Sequence, residues 1–347
     1  MSTTAIPTKP WAKSPRDRII GFSFFFAAIA FSYFFVAATE MKGKLAYAFI
    51  FFLAYALISS TFSFINRGRQ AAKDAFVSAL VALGAVVTVA PIVSILATVL
   101  QKGIPGLHFG ILSNDMSMAT PTDPIPTGGL LHAITGTLTL VTLSLILSVP
   151  IGILTALYLT EIKGKFVGPI RFLVQAMSGV PSIVAGLFIL SAVLYPITKN
   201  YSALMGALAL TILMIPTIAR TSEEVLLLIP NELREAGTAL GGTQWRTVAM
   251  IVVPAARSGL MTAIILGIAR IAGETAPLLL LTGGGDKVNS NPFSGSVGSL
   301  PYYIWKSFLA GSPESITRAW TGLLVLMIVV LILFISARAL SNRKISK

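Results

Sequence analysis

Long stretches without charge divide this chain of 347 residues, and they limit its fold more than any other feature. A transmembrane helix needs about 20 mainly apolar residues to cross the bilayer core. Only 11% of the residues are charged, against about 25% in ordinary soluble domains. The sequence therefore predicts an all-α, polytopic transmembrane helical bundle and argues against an ordinary soluble enzyme. The predicted spans, eight in number, cover about 19–38, 45–64, 75–100, 133–159, 172–194, 202–219, 258–281 and 320–340.

The net charge of +13 comes from basic residues at the ends of the apolar stretches. A nucleic-acid-binding protein would instead gather such residues on one soluble face. Placing the N-terminus inside puts most lysines and arginines in the inner segments, as the positive-inside rule requires. The prediction is that both termini are cytoplasmic.

The chain has no cysteine and only two histidines, which argues against thiol catalysis and against a metal site. Residues 1–74 form a predicted accessory hairpin of two transmembrane helices. Residues 75–340 form a predicted six-span core, and 341–347 a basic cytoplasmic tail. The two long outer segments, 101–132 and 282–319, are rich in proline and glycine and are predicted to be irregular, with a short interfacial helix at Pro301–Ala310.

Span 258–281 contains both Arg270, near its midpoint, and Glu274. A charge at the bilayer centre costs about 2.5–3.5 kcal/mol on insertion scales, so such residues usually face a bundle interior or a watery cavity. Residues at i and i+4 share one helix face and can pair. Two interpretations follow: a structural ion pair, or an anion site in which Arg270 is the ligand and Glu274 orients it. A guanidinium group matches the oxygens of phosphate or carboxylate.

A helix break is predicted beside this pair. Pro277 cannot donate a hydrogen bond to the carbonyl of Gly273, and its ring crowds that carbonyl. Broken backbone at membrane depth is tolerated where it lines a cavity, which favours a substrate path. Arg220 ends the span 202–219 and is open to two interpretations: a side chain that reaches the interface, or a second ligand.

The longest inner segment, residues 221–257, is predicted to form a compact protrusion. Asn231 can cap one helix, Gly241-Gly242 can end it, and Gln244 can begin another. The alternative is an amphipathic loop on the membrane surface.

A resemblance makes this segment more specific. Glu235-Ala236-Gly237, followed by Gly241 and Pro254, is similar to the EAA loop of ABC-importer permeases, with Gly237 where the second alanine is usual. The resemblance implies that Glu235, Ala236, Gly237, Gly241 and Pro254 couple the chain to an ATPase, with the glycine as the bend between two coupling helices. The departure at Gly237 should leave the docking helix intact.

The segment from Arg270 to Leu279, Arg-Ile-Ala-Gly-Glu-Thr-Ala-Pro-Leu-Leu, resembles the signature of PstA-type permeases of phosphate-specific transport systems. The resemblance covers about 75–340. It implies phosphate as substrate, Arg220, Arg270 and Glu274 in its path, and a multi-pass location in a prokaryotic plasma (inner) membrane. The implied partners are a PstC-type permease, two PstB-type ATPase subunits and a PstS-type phosphate-binding protein outside the membrane.

The chain has no phosphate-binding loop of the Gly-x-x-x-x-Gly-Lys-Ser/Thr type. We therefore expect no cofactor on this chain, no enzymatic activity of its own, and ATP with magnesium on the partner ATPase. An intramembrane enzyme would need a nucleophile or an acid/base pair, which Glu274 and Arg270 do not supply. The alternatives are a permease for another oxyanion and a structural membrane subunit that does not transport.

Overall fold

The computed structural model describes residues 15–39, 41 and 43–342. The first fourteen residues of the predicted hairpin and residues 343–347 of the predicted basic tail lie outside this range. Within it the regular secondary structure is helical, and extended pairing is limited to one bridge between Gly283 and Val297. The prediction of an all-α membrane bundle is confirmed. The α-helices are α1 (Pro15–Ala38), α2 (Lys44–Gly103), α3 (Leu131–Leu157), α4 (Val167–Ser178), α5 (Ser182–Ile189), α6 (Ala203–Leu227), α7 (Asn231–Ala239), α8 (Gln244–Thr247), α9 (Val253–Ala272), α10 (Ala276–Leu281), α11 (Leu300–Ala310) and α12 (Pro313–Asn342).

Six helices in the described part are long and apolar enough to cross a membrane, or seven if the bent pair α4–α5 counts as one span. The sequence predicted eight. The predicted spans 45–64 and 75–100 both fall in α2, whose backbone leaves helical geometry at Gly68 (φ 84°, ψ −176°). The number of membrane crossings and the cytoplasmic termini stay predictions.

Two further predicted spans differ from straight helices. Residues 172–194 fall on α4 and on the helical segment Ser182–Thr198, which meet at a bend of 105° before Pro181. The predicted span 258–281 ends early, because α9 stops at Ala272 and α10 begins at Ala276. The apolar helix that contains Arg270 instead runs over Gln244–Ala272, and it begins inside the predicted loop 221–257.

The contacts divide the chain into two units, Met1–Leu96 and Ala97–Lys347, whereas the sequence placed the domain boundary after residue 74. In the first unit, α1 packs on the early turns of α2 through aromatic side chains. The rings of Phe24 and Phe62 have centroids 5.0 Å apart, and those of Phe25 and Phe51 are 5.4 Å apart. Val36, Ala46 and Ile50 form a small buried cluster.

In the second unit, α6 lies at the centre and packs against both α3 and α9. Leu210, Met214 and Ile218 of α6 are buried with side chains of the neighbouring helices. Close approach depends on glycine, since a Cβ at Gly152 of α3 or at Gly267 of α9 would lie within 3 Å of Ile218 side-chain carbons. Helices α3 and α9 therefore both pack closely on α6 at Ile218.

Candidate substrate path and coupling segment

Arg270 lies in the last turn of α9, where the structure corrects its predicted position near the middle of a span. The helix ends at Gly273, so Glu274 follows the helix and its backbone N–H donates to the carbonyl of Ile271 at 3.1 Å. Pro277 sits in the first turn of α10, beyond the break. A proline in a first turn loses no helical hydrogen bond, which explains why the break precedes it.

Arg270 Nη1 donates to Glu274 Oε1 in an ion pair between residues i and i+4. The Arg270 side chain is 43% exposed, and that of Glu274 is 13% exposed. The cation also lies at a helix C-terminus, where the helix dipole stabilises positive charge. Because the guanidinium group is open on one side, it is able to bind an anion without unfolding its surroundings.

The helix α6 continues past the predicted span 202–219 to Leu227, so Arg220 lies about two turns before its end. Arg220 is exposed and forms an ion pair with Glu224 at 3.5 Å. A second arginine, Arg171 of α4, pairs with Glu223 at 2.6 Å. These four side chains line one cavity of about 210 Å³. The sequence interpretation missed Arg171 and Glu223, since their spacing of 52 residues gives no signal of contact.

Arg220 and Arg270 lie on neighbouring helices, on opposite sides of one level of contact. A Cβ at Gly267 of α9 would meet Ile218 of α6, and a Cβ at Gly259 would meet Val225, so the two helices run antiparallel. Arg220 comes two residues after Ile218 and Arg270 three residues after Gly267, in opposite directions along the bundle. With a rise of about 1.5 Å per residue, their backbones are separated by roughly 7 Å along the helix axes.

The coupling segment, defined here as residues 228–252, contains the two predicted short helices, α7 and α8. Glu235 and Ala236 are exposed on α7, and Pro254 is exposed at the start of α9. Gly241 has φ +79° between the helices, which confirms the predicted break. The capping residue is Pro230, not Asn231, because the helix already includes Asn231.

Gly237 is the buried member of the predicted coupling residues. A Cβ there would lie 2.6 Å from Thr247 Cγ2 and 2.8 Å from Ile251 Cδ1. The missing side chain thus allows α7 to approach α8 and the turn after it. The helix α7 is intact around this glycine, as expected.

A buried carboxylate that the sequence interpretation did not single out holds this segment. Glu161 lies in the π-helical turn Tyr158–Ile162 after α3, and its side chain is 6% exposed. Arg234 Nη2 of α7 donates to Glu161 Oε1 at 2.8 Å. Hydrogen bonding to Glu161 raises the pKa of Arg234 above its ordinary value, so Arg234 keeps its positive charge.

On the outer side of the predicted topology, Arg318 of α12 is buried and donates to the carbonyls of Asp123 and Pro124 at 3.1 and 2.8 Å. It therefore ties the loop before α3 to α12. Hydrogen bonds from Ser117 lower the pKa of Asp115 in the same loop. The short helix predicted at Pro301–Ala310 is confirmed as α11, and its interfacial location stays a prediction. Among the described residues, no group of three or more His, Cys, Asp or Glu side chains is arranged to hold a metal ion.

Comparison with known proteins gives the same family as the sequence motifs. Residues 148–346 match the model of the binding-protein-dependent transport system inner membrane component family. The chain is 37% identical over 257 residues to the phosphate transport system permease protein PstA of Mycobacterium leprae, covering 74% of this chain and 82% of the relative. It is 38% identical over 252 residues to PstA of Pasteurella multocida, covering 72% and 88%.

A third relative, PstA 1 of Mycobacterium tuberculosis, is 42% identical over 204 residues, covering 58% of this chain and 67% of the relative. Among solved structures, a chain of the MetNI methionine ABC transporter in inward-facing conformations aligns with a TM-score of 0.50 and 18% identity. The alignment covers 62% of this chain and 93% of that one, and it shows a shared fold. The chain therefore belongs to the binding-protein-dependent transport system inner membrane component family, as a PstA-type ABC importer permease that passes the membrane several times.

Proposed function

We propose that this chain is the transmembrane permease subunit of an ATP-driven importer for inorganic phosphate, and that it forms half of the translocation pathway. The observation that carries the proposal is Arg270, a half-exposed guanidinium at a helix break in an apolar bundle, in a chain whose relatives are phosphate permeases. Phosphate is a dianion or monoanion whose oxygens fit the two N–H donors of guanidinium.

Glu274 keeps this site from binding too tightly. A transport site must bind its ion well enough to admit it and weakly enough to release it. The carboxylate of Glu274 already pairs with Arg270, so an arriving phosphate competes with it for the same donors. Arg220, on the neighbouring helix α6, supplies a second positive charge and is likewise already paired. Gly273 and Pro277 set the break that leaves Arg270 accessible.

The energy for transport comes from partner subunits. We assign Glu235, Ala236, Gly237, Gly241 and Pro254 to docking on PstB-type ATPase subunits, which bind ATP and magnesium. In this alternating-access scheme, ATP binding closes the two ATPases and the coupling segment transmits that motion. The translocation pathway then opens outward to accept phosphate, and ATP hydrolysis returns it to the inward-facing state.

The remaining partners follow from the same assignment. A PstC-type permease completes the path, and a PstS-type phosphate-binding protein delivers phosphate from outside a prokaryotic plasma (inner) membrane. Exposed apolar side chains on α3 and α5, such as Ile146, Leu154 and Phe188, are available to lipid or to the second permease.

The test is ATP-dependent uptake of labelled phosphate by the reconstituted four-protein complex, with sulfate and molybdate as competitors. We expect phosphate to be accumulated and neither competitor to reduce uptake at equal concentration. Uptake of sulfate or molybdate in place of phosphate would assign the chain to another oxyanion. A complex that assembles and hydrolyses ATP without accumulating any of the three ions would leave only a structural role.

A further inference from the structure

The coupling segment is joined to the membrane helices through one buried acidic side chain. Glu161 lies in the π-helical turn that continues α3 to Ile162, and the chain turns sharply after this turn at Lys163, whose φ is +51°. A buried carboxylate is stable only when it is paired and hydrogen-bonded. Its partners therefore show which elements depend on it.

Arg234 of α7 supplies the charged partner. Its Nε donates to both carboxylate oxygens of Glu161, at 3.3 and 3.1 Å, while Nη2 donates to Oε1 at 2.8 Å. A two-pronged contact of this kind fixes the orientation of both side chains. The position of α7 is thus set by the end of α3, which lies 73 residues earlier in the chain.

The same guanidinium group also reaches the end of α6. Arg234 Nη1 donates to the carbonyl of Ile229 at 2.6 Å, and Nη2 donates to the carbonyl of Leu226 at 2.9 Å. These carbonyls lie in the last turn of α6 and just after it. Arg234 therefore connects α7 with two membrane helices at once.

The second coupling helix, α8, is also connected to Glu161, through the backbone carbonyl of Glu161. Gln244 Nε2, at the start of α8, donates to the carbonyl oxygen of Glu161 at 2.6 Å. Behind these polar contacts lies a buried apolar cluster that joins the end of α3, the end of α6 and the turn after α8. Its members include Ala156, Leu157, Leu226, Val248 and Val252.

We propose that Glu161 is the positioning residue through which movement of α7 and α8 is transmitted to α3 and α6. The apolar cluster alone can slide, since apolar contacts have no preferred direction. The hydrogen bonds of Glu161 have direction, so a shift of the coupling helices must carry the end of α3 with it. The inference rests on the proposed function, in which these helices meet an ATPase.

The test uses the reconstituted complex with Glu161→Ala and Glu161→Gln in this chain. The measured quantity is phosphate transported per ATP hydrolysed. We expect about a tenfold fall for Glu161→Ala, the change that loss of a charge-assisted hydrogen bond produces, and an intermediate fall for Glu161→Gln. ATP hydrolysis and assembly should continue in both, because the proposed docking residues are unchanged. Gln244→Ala should give a smaller fall in the same direction.

A second readout does not depend on transport. The chain has no cysteine, so Leu154→Cys on α3 and Glu232→Cys on α7 allow spin labels at only these two positions within it. Both side chains are exposed. We expect one narrow distance distribution with Glu161 present and a broad one with Glu161→Ala, measured by pulsed electron paramagnetic resonance.

Asp286→Asn serves as the matched control, since it removes an ion pair with Lys306, 2.6 Å long, from a different part of the unit. It should alter neither readout. An unchanged distance distribution in Glu161→Ala overturns the proposal, and so does a broadened distribution with an unchanged transport ratio. A parent complex that takes up no phosphate refutes the proposed function instead, while the distance measurement still tests the link itself.

Discussion

Two arginine–glutamate ion pairs in this protein have the same chemistry but differ in sequence separation and in exposure to solvent. Arg270 and Glu274 are four residues apart at and just after the end of α9, and their side chains are 43% and 13% exposed. Arg234 and Glu161 are 73 residues apart and join three elements, and their side chains are 22% and 6% exposed. The first pair can open toward a ligand at little cost to the fold, whereas the second cannot open without leaving a buried charge.

The contrast shows that an ion pair by itself does not indicate a role. Ion pairs that solvent reaches contribute about 0–1 kcal/mol to stability, so the pair of the half-exposed Arg270 calls for an explanation other than bracing. A buried pair that is broken on one side costs about 3–5 kcal/mol. On this basis we propose that Arg270 binds the substrate and that Arg234 holds the coupling segment in place, and each proposal is open to experiment.

The largest expected effect is the fall in phosphate transport caused by Arg270→Ala. Two charge-assisted hydrogen bonds from guanidinium to phosphate are worth together at least about 3 kcal/mol. We therefore expect ATP-dependent phosphate uptake to fall about 100-fold, measured in proteoliposomes that contain the assembled complex. Assembly and thermal stability should stay close to those of the parent.

The double variant Arg270→Glu with Glu274→Arg distinguishes a role of Arg270 as substrate ligand from a purely structural ion pair. It restores an ion pair, in the order that suits an α-helix better. If the pair is only a brace, uptake should recover. Because the guanidinium moves by about one turn, we expect uptake to stay low, and recovery would refute the role of Arg270 as a ligand.

The next effect is on stability. Arg234→Ala leaves the carboxylate of Glu161 buried without its charged partner and should lower the free energy of unfolding by about 3 kcal/mol. The measurement is thermal unfolding of the purified protein in detergent. Arg220→Ala is the matched control, because its pair with Glu224 is 3.5 Å long and exposed on both sides. Equal losses in the two variants would contradict the distinction between exposed and buried pairs.

The smallest effects concern the spacing of the coupling helices. Gly237→Ala places a Cβ 2.6 Å from Thr247 Cγ2 and should cost about 1–3 kcal/mol by overpacking. Gly241→Ala meets no atom within 4 Å, but its φ of +79° should cost about 1 kcal/mol. Thermal unfolding and copurification of the ATPase are the measurements.

We expect Gly237→Ala to weaken copurification more than Gly241→Ala does, since only the former forces α7 away from α8. The opposite order would place the ATPase contact at the bend and not on the packed helices. Either order would show which of the two glycines the coupling segment depends on.

The sequence predicted local features well and long-range ones poorly. The two coupling helices, their glycine break and α11 follow from capping and turn preferences of neighbouring residues, and the structure contains all three. The pairing of Arg270 with Glu274 follows from helical spacing. Arg318 is different: it belongs to the outer segment 282–319, which was predicted to be irregular, while the fold places it on α12 and buries it against the loop before α3.

The misplaced spans have a related cause. Hydropathy measures whether a stretch prefers an apolar environment to water, and by its average the run 258–281 is one span. It does not record that the backbone leaves the helix at Gly273 and resumes at Ala276. Likewise, apart from Pro181, the residues of the run 172–194 do not indicate its 105° bend.

By itself the sequence determined the helical membrane fold, the family, the pair at residues 270 and 274, and the segment that forms α7 and α8. These depend on apolar run length, on residue spacing within one turn, and on local motifs. Only the tertiary structure decided that Glu161 holds Arg234 and Gln244, and that Arg171 shares a cavity with Arg220. Those contacts join residues from about 50 to 83 positions apart, and chain spacing carries no information about distances that the packing of separate helices sets.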